Sequence, residues 1–141
     1  MDIGPPTFTL ALCALSLAWL AVASPCRAQE PVTVGELLSY GSSYNQHLVI
    51  VEGRAGNVRA YPEARYDQAV VYGSYAFSLE DHTGAIEVEV FGSIQPGVVT
   101  PIEPGTSVRV RGIFNKIARG DELYQYIKAS GLEMLESESE K

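Results

Sequence analysis

The sequence predicts an all-β domain in which five short strands form a small, closed or nearly closed antiparallel barrel behind one short helix. Three observations predict this fold: runs in which apolar and polar residues alternate, glycines inside the first run, and a tight turn between the second and third. The 141 residues suffice for a single domain with one core. With 46% hydrophobic and 19% charged residues, the composition is that of an ordinary folded protein.

Residues 1–28 are predicted to be a secretory signal peptide that is removed on export. Positions 8–23 are apolar or small, and the small residues Cys26 and Ala28 precede a predicted cut before Gln29. An uncleaved membrane anchor is one alternative, but this apolar run is shorter than the roughly 20 residues that span a bilayer. A lipoprotein modified at Cys26 is the other. We therefore expect a periplasmic or secreted protein with no membrane attachment after cleavage.

Charge and cysteine content exclude several classes of function. Seventeen acidic against ten basic residues, a net charge of -7, disfavour duplex nucleic acid as the main partner, because its affinity comes mostly from Lys and Arg on phosphates. Cys13 and Cys26 both lie in the predicted signal peptide. The mature domain is therefore expected to have no disulfide, no thiolate chemistry and no zinc–thiolate site.

The chain after the signal peptide begins with a predicted helix and a long strand. Thr33 lies three residues before Glu36 and ahead of an apolar pair, a capping-box pattern that predicts one or two helical turns. The first strand is predicted over 47–58, which is rich in β-branched residues. Gly53 and Gly56 inside it indicate a bulge or a sharp bend, as at the corners of small barrels.

A loop and a hairpin follow the first strand. Residues 59–73, rich in Tyr and Arg, are predicted as an irregular loop without a strand of its own. Residues 75–91 alternate on both sides of a turn and predict a hairpin with one buried face. Asp81 and Thr83 can hydrogen-bond to the backbone of this turn, and Gly84 is expected to supply a residue with positive φ.

Two further strands and a tail complete the chain. The fourth strand is predicted over 107–114 and the fifth over 123–129, while residues 136–141 are predicted as an acidic disordered tail. If the two strands are neighbours, their outward side chains can pack as an Arg–Tyr cluster formed by Arg109, Arg111, Tyr124 and Tyr126.

Three motifs together resemble a known fold family. They are Val49-x-Val51-x-Gly53-x-Ala55, Tyr75-x-Phe77-x-Leu79-x-Asp81-x-Thr83-Gly84-x-Ile86-x-Val88, and Gly105-x-x-Val108-x-Val110-x-Gly112. The pattern resembles the OB-fold of the tRNA-anticodon-binding type and the small exported bacterial OB-fold proteins. The resemblance covers roughly residues 33–135. It implies a five-stranded Greek-key barrel, in a domain predicted over 29–135, whose usual binding surface is the outer face of strands two and three with the adjoining loops.

The outer face that this resemblance implies is acidic. Its outward residues are predicted to be Ala76, Ser78, Glu80, Glu87 and Glu89. A platform for single-stranded nucleic acid needs a positive groove and aromatic rings on which bases stack. This face departs from that pattern, although Phe91 at the end of the third strand can supply one ring.

The loop after the first strand is the predicted ligand site. Its guanidinium and phenol groups can stack on a flat ligand or hold an anionic one. Glu63 and Asp67 balance its positive charge. The alternative is that its tyrosines cover the barrel end and cap the core. The predicted ligand-binding residues are Arg59, Tyr61, Arg65, Tyr66 and Tyr72.

We expect an exported, non-enzymatic OB-fold binding module of the bacterial cell envelope, which binds a protein, a peptide or a small ligand through this loop. The alternatives are a binder of single-stranded nucleic acid and a structural or stress-tolerance protein of the envelope. The run Glu80-Asp81-His82 predicts no metal site, because adjacent residues point in different directions. No nucleophile-elbow or phosphate-loop motif is present, so neither an enzyme nor a cofactor is predicted.

Overall fold

The computed structural model of the protein describes residue 4 and residues 29–136. The predicted signal peptide, apart from residue 4, and positions 137–141 of the predicted tail lie outside the described residues. The helices are α1 (Val34–Ser39) and α2 (Gly41–Tyr44). The strands are β1 (Leu48–Ala60), β2 (Ala64–Tyr66), β3 (Ala69–Val71), β4 (Tyr75–Asp81), β5 (Gly84–Val90), β6 (Ser107–Arg119) and β7 (Glu122–Met134).

Five strands close into a barrel in the order β1-β4-β5-β7-β6. Every neighbouring pair is antiparallel except β5 and β7, which run parallel. The last strand therefore returns between the third and fourth barrel strands, which is the Greek-key arrangement of an OB-fold. The predicted all-β OB-fold is confirmed.

The core consists of the inward side chains of the barrel strands, because successive residues of a strand point to opposite faces. The alternation in the sequence predicts these positions correctly. In β4, Phe77 and Leu79 are fully buried, and in β6 Val108 and Val110 are as well. The other large, buried side chains of the barrel include Val49, Val51, Val88, Phe114 and Ile127.

Helix α1 packs on one end of the barrel and is capped as its sequence predicts. The side chain of Thr33 accepts a hydrogen bond from the backbone N–H of Glu36 at 3.2 Å, and α1 begins at the next residue, Val34. Val34 and Leu37 are fully buried in the barrel core. The helix therefore closes the barrel end with apolar side chains.

The carboxylate of Asp81 joins the tip of the β4–β5 hairpin to the first turn of α1. It accepts hydrogen bonds from the backbone N–H groups of Thr83 at 2.7 Å, Gly84 at 3.1 Å and Val34 at 2.8 Å. The hydroxyl of Thr83 accepts from the backbone N–H of Gly35 at 2.7 Å. Burial alone would raise the pKa of Asp81, but the hydrogen bonds from the Thr83 side chain and the three amides lower it below its ordinary value.

Gly84 differs from the sequence prediction, because it does not have a positive φ. The Asp81 side chain satisfies the amides of the turn, so the turn needs no left-handed residue at this position. A Cβ placed on Gly84 would meet Cγ1 of Val34 at 3.6 Å, which is an ordinary contact.

The glycines of β1 have separate roles. A Cβ on Gly53 would lie 2.5 Å from the backbone oxygen of Glu80, so Gly53 allows β1 and β4 to approach each other closely. The bulge lies further along the strand, where the β1–β4 register shifts between Gly56 and Arg59. Asn57 has a φ of 47° within this bulge. The sequence prediction of a bulged, bent first strand is confirmed.

The stretch predicted as an irregular loop contains a small hairpin of its own, so that prediction is wrong. β2 and β3 form a separate two-stranded sheet. Its turn residues, Asp67 and Gln68, have positive φ values of 46° and 72°, as in a type I′ turn. Strands of three residues are too short to show a recognisable alternation.

Substitution of Asp81 by Asn is expected to lower the free energy of unfolding by about 1–3 kcal/mol at neutral pH, because charge-assisted hydrogen bonds at two elements are weakened. The pKa of Asp81 is lowered in the fold. Its contribution is therefore present above the unfolded pKa of about 3.9 and is lost as the pH falls through the lower folded value. Urea unfolding at about pH 7 and about pH 3 measures both effects.

Glu80→Gln is the matched control for Asp81→Asn, because the exposed Glu80 is the preceding residue. We expect it to change the free energy of unfolding by less than about 0.5 kcal/mol. Equal stability of wild type and Asp81→Asn at neutral pH would contradict the role assigned to this carboxylate.

A pair of glycine substitutions tests the packing of the barrel. Gly53→Ala should destabilise the protein by about 1–3 kcal/mol, because its methyl group would overlap the β4 backbone. Gly84→Ala should change stability by less than about 0.5 kcal/mol, because its methyl group has room. Thermal unfolding of the two variants measures the difference, and equal effects would show that the assignment is wrong.

Candidate ligand-binding face

Strands β5 and β7 together form the candidate site. They pair in parallel, with Glu87 opposite Tyr126 and Glu89 opposite Lys128. Because side chains alternate along a strand, these four residues share the outer surface of the barrel. We call this surface, with the two grooves described below, the β5–β7 face.

The first groove of the face lies where β5 ends and has a volume of about 90 Å³. The rings of Tyr66 and Phe91 meet there at a centroid distance of 6.0 Å and an angle of 49°. The Lys128 ammonium lies 5.7 Å from the centroid of the Phe91 ring, a cation–π contact. The groove is lined by Tyr61, Tyr66, Ser74, Glu89, Val90, Phe91 and Lys128.

The second groove lies between β5 and the far end of the β6–β7 hairpin and has a volume of about 390 Å³. The Arg119 guanidinium lies 5.8 Å from the centroid of the Tyr124 ring. The Tyr124 hydroxyl donates to Glu122, and this hydrogen bond raises the pKa of Tyr124. The groove is lined by Glu87, Glu89, Ile117, Arg119, Tyr124, Gln125 and Tyr126. Glu89 lines both grooves, so they adjoin.

Cations from other strands lie beside the acidic side chains of this face. Arg59 donates from Nη2 to Oε2 of Glu87 at 2.8 Å, and this hydrogen bond raises the pKa of Arg59. Burial, followed by the charge of Glu87, raises the pKa of Glu89, while Lys128 opposes that rise. The face is thus less negative than its glutamates alone suggest.

Three of the five predicted site residues belong to this face. Tyr61 and Tyr66 line the first groove, and Arg59 reaches the face through its ion pair with Glu87. Tyr61 is 44% exposed and Tyr66 is 57% exposed. Neither tyrosine is among the side chains that form the buried core or pack against it, so the structure gives no support for the alternative that these two cap the core.

The other two predicted residues lie outside both grooves. Arg65 is exposed on β2, opposite Val70. Tyr72 is half-buried, and its backbone N–H and C=O each bond to Ser93 at 2.8 Å. Tyr72 therefore attaches the β2–β3 hairpin to the segment after β5.

Part of the predicted outer face is wrong. Ala76 is fully buried, because its methyl group lies between longer side chains at its register partners Arg59 and Glu89. Ser78 and Glu80 line neither groove, and Glu80 pairs with Ala85 near the hairpin turn.

The predicted Arg–Tyr cluster on the fourth and fifth strands does not form. β6 and β7 are neighbours, but Tyr124 and Tyr126 pair with Ile117 and Asn115. Arg109 lies near the start of β6, far from these tyrosines, and instead forms ion pairs with Glu52 at 2.6 Å and with Glu133 at 3.1 Å. Arg111 pairs with Gly131. The tight turn between Arg119 and Glu122 sets the register of this antiparallel pair, so residues near the start of β6 lie opposite the end of β7, far from its two tyrosines.

Sequence reasoning missed Lys128, Arg119 and Gln125. A signal for Lys128 was present, because Tyr124, Tyr126 and Lys128 alternate along the predicted fifth strand and so share one face. That pattern does not show which strand lies beside the fifth strand, so it does not place Lys128 next to Glu89.

Neither a cluster of metal-ligating side chains nor a membrane-spanning helix occurs in the described range, residue 4 and residues 29–136. No group of three or more His, Cys, Asp or Glu side chains is placed there to hold a metal ion. Neither helix within that range is long and apolar enough to cross a membrane.

The comparisons with known proteins show a shared fold. No family model matches the chain, and no curated protein matches it. It is similar to a protein assigned as an aspartyl-tRNA synthetase from Leishmania major Friedlin, with a TM-score of 0.52 and 11% identity. The similarity covers 81% of this chain and 22% of that one, so this chain spans about a fifth of the synthetase.

A second similar structure is RecJ in complex with Mn²⁺ from Thermus thermophilus. It has 22% identity over 65% of this chain and 11% of that chain. Its TM-score of 0.41 is too low to carry an argument. At these identities, what the comparisons establish is the fold.

Proposed function

We propose that this domain binds single-stranded nucleic acid across the β5–β7 face. The observation that carries the proposal is a row of exposed aromatic rings with cationic side chains between them. Aromatic faces stack on bases of any sequence, at about 1–3 kcal/mol per base, while cations contact the backbone phosphates. The rings are Tyr61, Tyr66, Phe91 and Tyr124, and the cations are Arg59, Arg119 and Lys128.

The face is long enough for several nucleotides. The register of β5 and β7 aligns Val90 with Ala129, so Phe91 lies level with Ser130. Tyr124 is six residues further back along β7. At about 3.3 Å per residue, the two rings are separated by about 20 Å along the strands. A single-stranded nucleic acid whose bases stack on both rings would pass over both grooves.

The structural comparison supports the same class of ligand. The similar fold belongs to a protein named for its action on a tRNA. Because this chain spans about a fifth of that protein, its enzymatic activity is not part of the proposal. The proposed role is binding without catalysis.

A second candidate ligand is a peptide, a protein segment or a small polar molecule of the cell envelope. One observation favours it: the cations Arg59 and Lys128 each lie beside a carboxylate, on Glu87 and Glu89. Such alternating charges suit a ligand with both donors and acceptors better than they suit a polyanion.

We also propose that the protein is exported and that residues 1–28 are its signal peptide. The uncharged apolar run over 8–23 and the small residues before Gln29 support this. N-terminal sequencing of the protein expressed from its full gene in a bacterial host should begin at Gln29. An intact Met1 on the purified protein would contradict export by this route.

Fluorescence anisotropy of labelled single-stranded DNA and RNA tests the nucleic-acid proposal. Phe91→Ala and Tyr124→Ala should each weaken binding roughly 5- to 150-fold, the equivalent of one lost stacking contact. Both rings are about half exposed, so thermal stability should change little. Binding should also weaken as salt increases, because phosphate contacts release counterions.

Tyr40→Ala is the matched control, because Tyr40 is an exposed tyrosine beside the helices and outside both grooves. It should bind the oligonucleotides as wild type does. If wild type shows no binding even at low salt, the nucleic-acid proposal is wrong and the envelope-ligand candidate is favoured.

A further inference from the structure

Glu89 occupies the centre of the β5–β7 face. It is half-buried on β5, between its register partners Ala76 on β4 and Lys128 on β7. It also lines both grooves. Any single-stranded nucleic acid that extends from Phe91 to Tyr124 must therefore pass close to this carboxylate.

The charges around Glu89 do not fully neutralise it. On β5, Glu87 adds a like charge, but Arg59 of β1 bonds to Glu87 at 2.8 Å. On β7, Lys128 is the cation opposite Glu89, and its ammonium lies over the Phe91 ring. Within the described residues, no cation lies within 4.0 Å of the Glu89 carboxylate.

The other side chains that line the two grooves with Glu89 include no carboxylate besides that of Glu87. β4 presents the methyl group of Ala76. The segment before β2 presents Tyr61, and β2 presents Tyr66. The end of the β6–β7 hairpin presents Arg119 and Tyr124, and β7 also presents Tyr126. Arg119 lies over the Tyr124 ring, at the far side of the second groove.

We infer that Glu89 acts as a protonation gate for this face: single-stranded nucleic acid binds tightly when the Glu89 carboxyl is neutral and weakly when it is ionised. This inference rests on the proposed nucleic-acid function and adds its regulation. An ionised Glu89 repels the phosphates and attracts Lys128 away from them. A neutral Glu89 leaves Lys128 available to the backbone and can itself donate a hydrogen bond to a phosphate oxygen or a base.

The direction of the pH effect follows from linkage. Burial and then the charge of Glu87 raise the pKa of Glu89 in the free protein, so its carboxyl takes up a proton at a higher pH than an ordinary glutamic acid. A bound phosphate backbone adds negative charge and raises that pKa further. Binding therefore takes up a proton, and affinity increases as the pH falls through the pKa of Glu89.

Anisotropy titrations with a labelled oligothymidylate of about 12 nucleotides, within the length that one OB-fold covers, test the gate. Thymine does not titrate over the range used. As the pH falls from about 8 to about 4, below the ordinary pKa of a glutamic acid, wild type should come to bind up to about tenfold more tightly, as expected when one like charge a few ångströms from a phosphate is removed. Glu89→Gln should bind about tenfold more tightly than wild type at about pH 8 and lose most of this pH dependence.

Glu80→Gln is the matched control, because it removes the same charge from β4 at a position outside both grooves. It should change affinity by less than about twofold and keep the pH dependence of wild type. A carbon-13 NMR titration of the Glu89 carboxyl should also show a higher pKa in the complex than in the free protein.

The outcomes separate the gate from the function on which it rests. If wild type binds with the same affinity at every pH, or if Glu80→Gln tightens binding as much as Glu89→Gln, the gate is overturned and the nucleic-acid function stands. If neither wild type nor Glu89→Gln binds the oligonucleotide at any pH in low salt, both proposals are overturned.

Discussion

The short parallel ladder between β5 and β7 is the constraint on which the rest of this structure depends. It joins residues 87–90 to residues 126–129, and without it the sheet would remain open. The other barrel contacts are antiparallel, and two of them join strands that are consecutive around tight turns. The β5–β7 ladder joins strands separated in sequence by all of β6, and it brings Ile127 into the same core as Val88.

Closing the barrel also creates the candidate site. The same four register pairs that complete the core place Glu87 and Glu89 beside Tyr126 and Lys128 on the outside. A strand buries one side and exposes the other, so one ladder determines both surfaces. The electrostatics of the face also depend on the fold, because Arg59 reaches Glu87 from β1. The negative charge that the sequence shows on one strand is therefore offset only in part: Arg59 forms an ion pair with Glu87, whereas Lys128 lies opposite Glu89 without one.

The Asp81 carboxylate connects local structure to the barrel end. It holds the β4–β5 turn and accepts from the first amide of α1, so the hairpin and the helix are fixed relative to each other. The helix then places Val34 and Leu37 in the core. Hydrogen bonds from the Thr83 side chain and three backbone amides outweigh burial and lower the pKa of Asp81, whereas burial and the charge of Glu87 raise that of Glu89. The pKa values of two carboxylates on one hairpin are thus shifted in opposite directions by their surroundings.

The sequence by itself determined the fold class, the five barrel strands, the capped helix and the inward positions such as Phe77 and Val110. Only the tertiary structure decided the burial of Ala76, the place of Arg109 far from the tyrosines of β7, and the presence of Lys128 on the face. The physical reason is the distance along the sequence over which each kind of interaction acts. Alternation and capping act between residues a few positions apart, whereas register and ion pairing depend on which strands meet when the barrel closes.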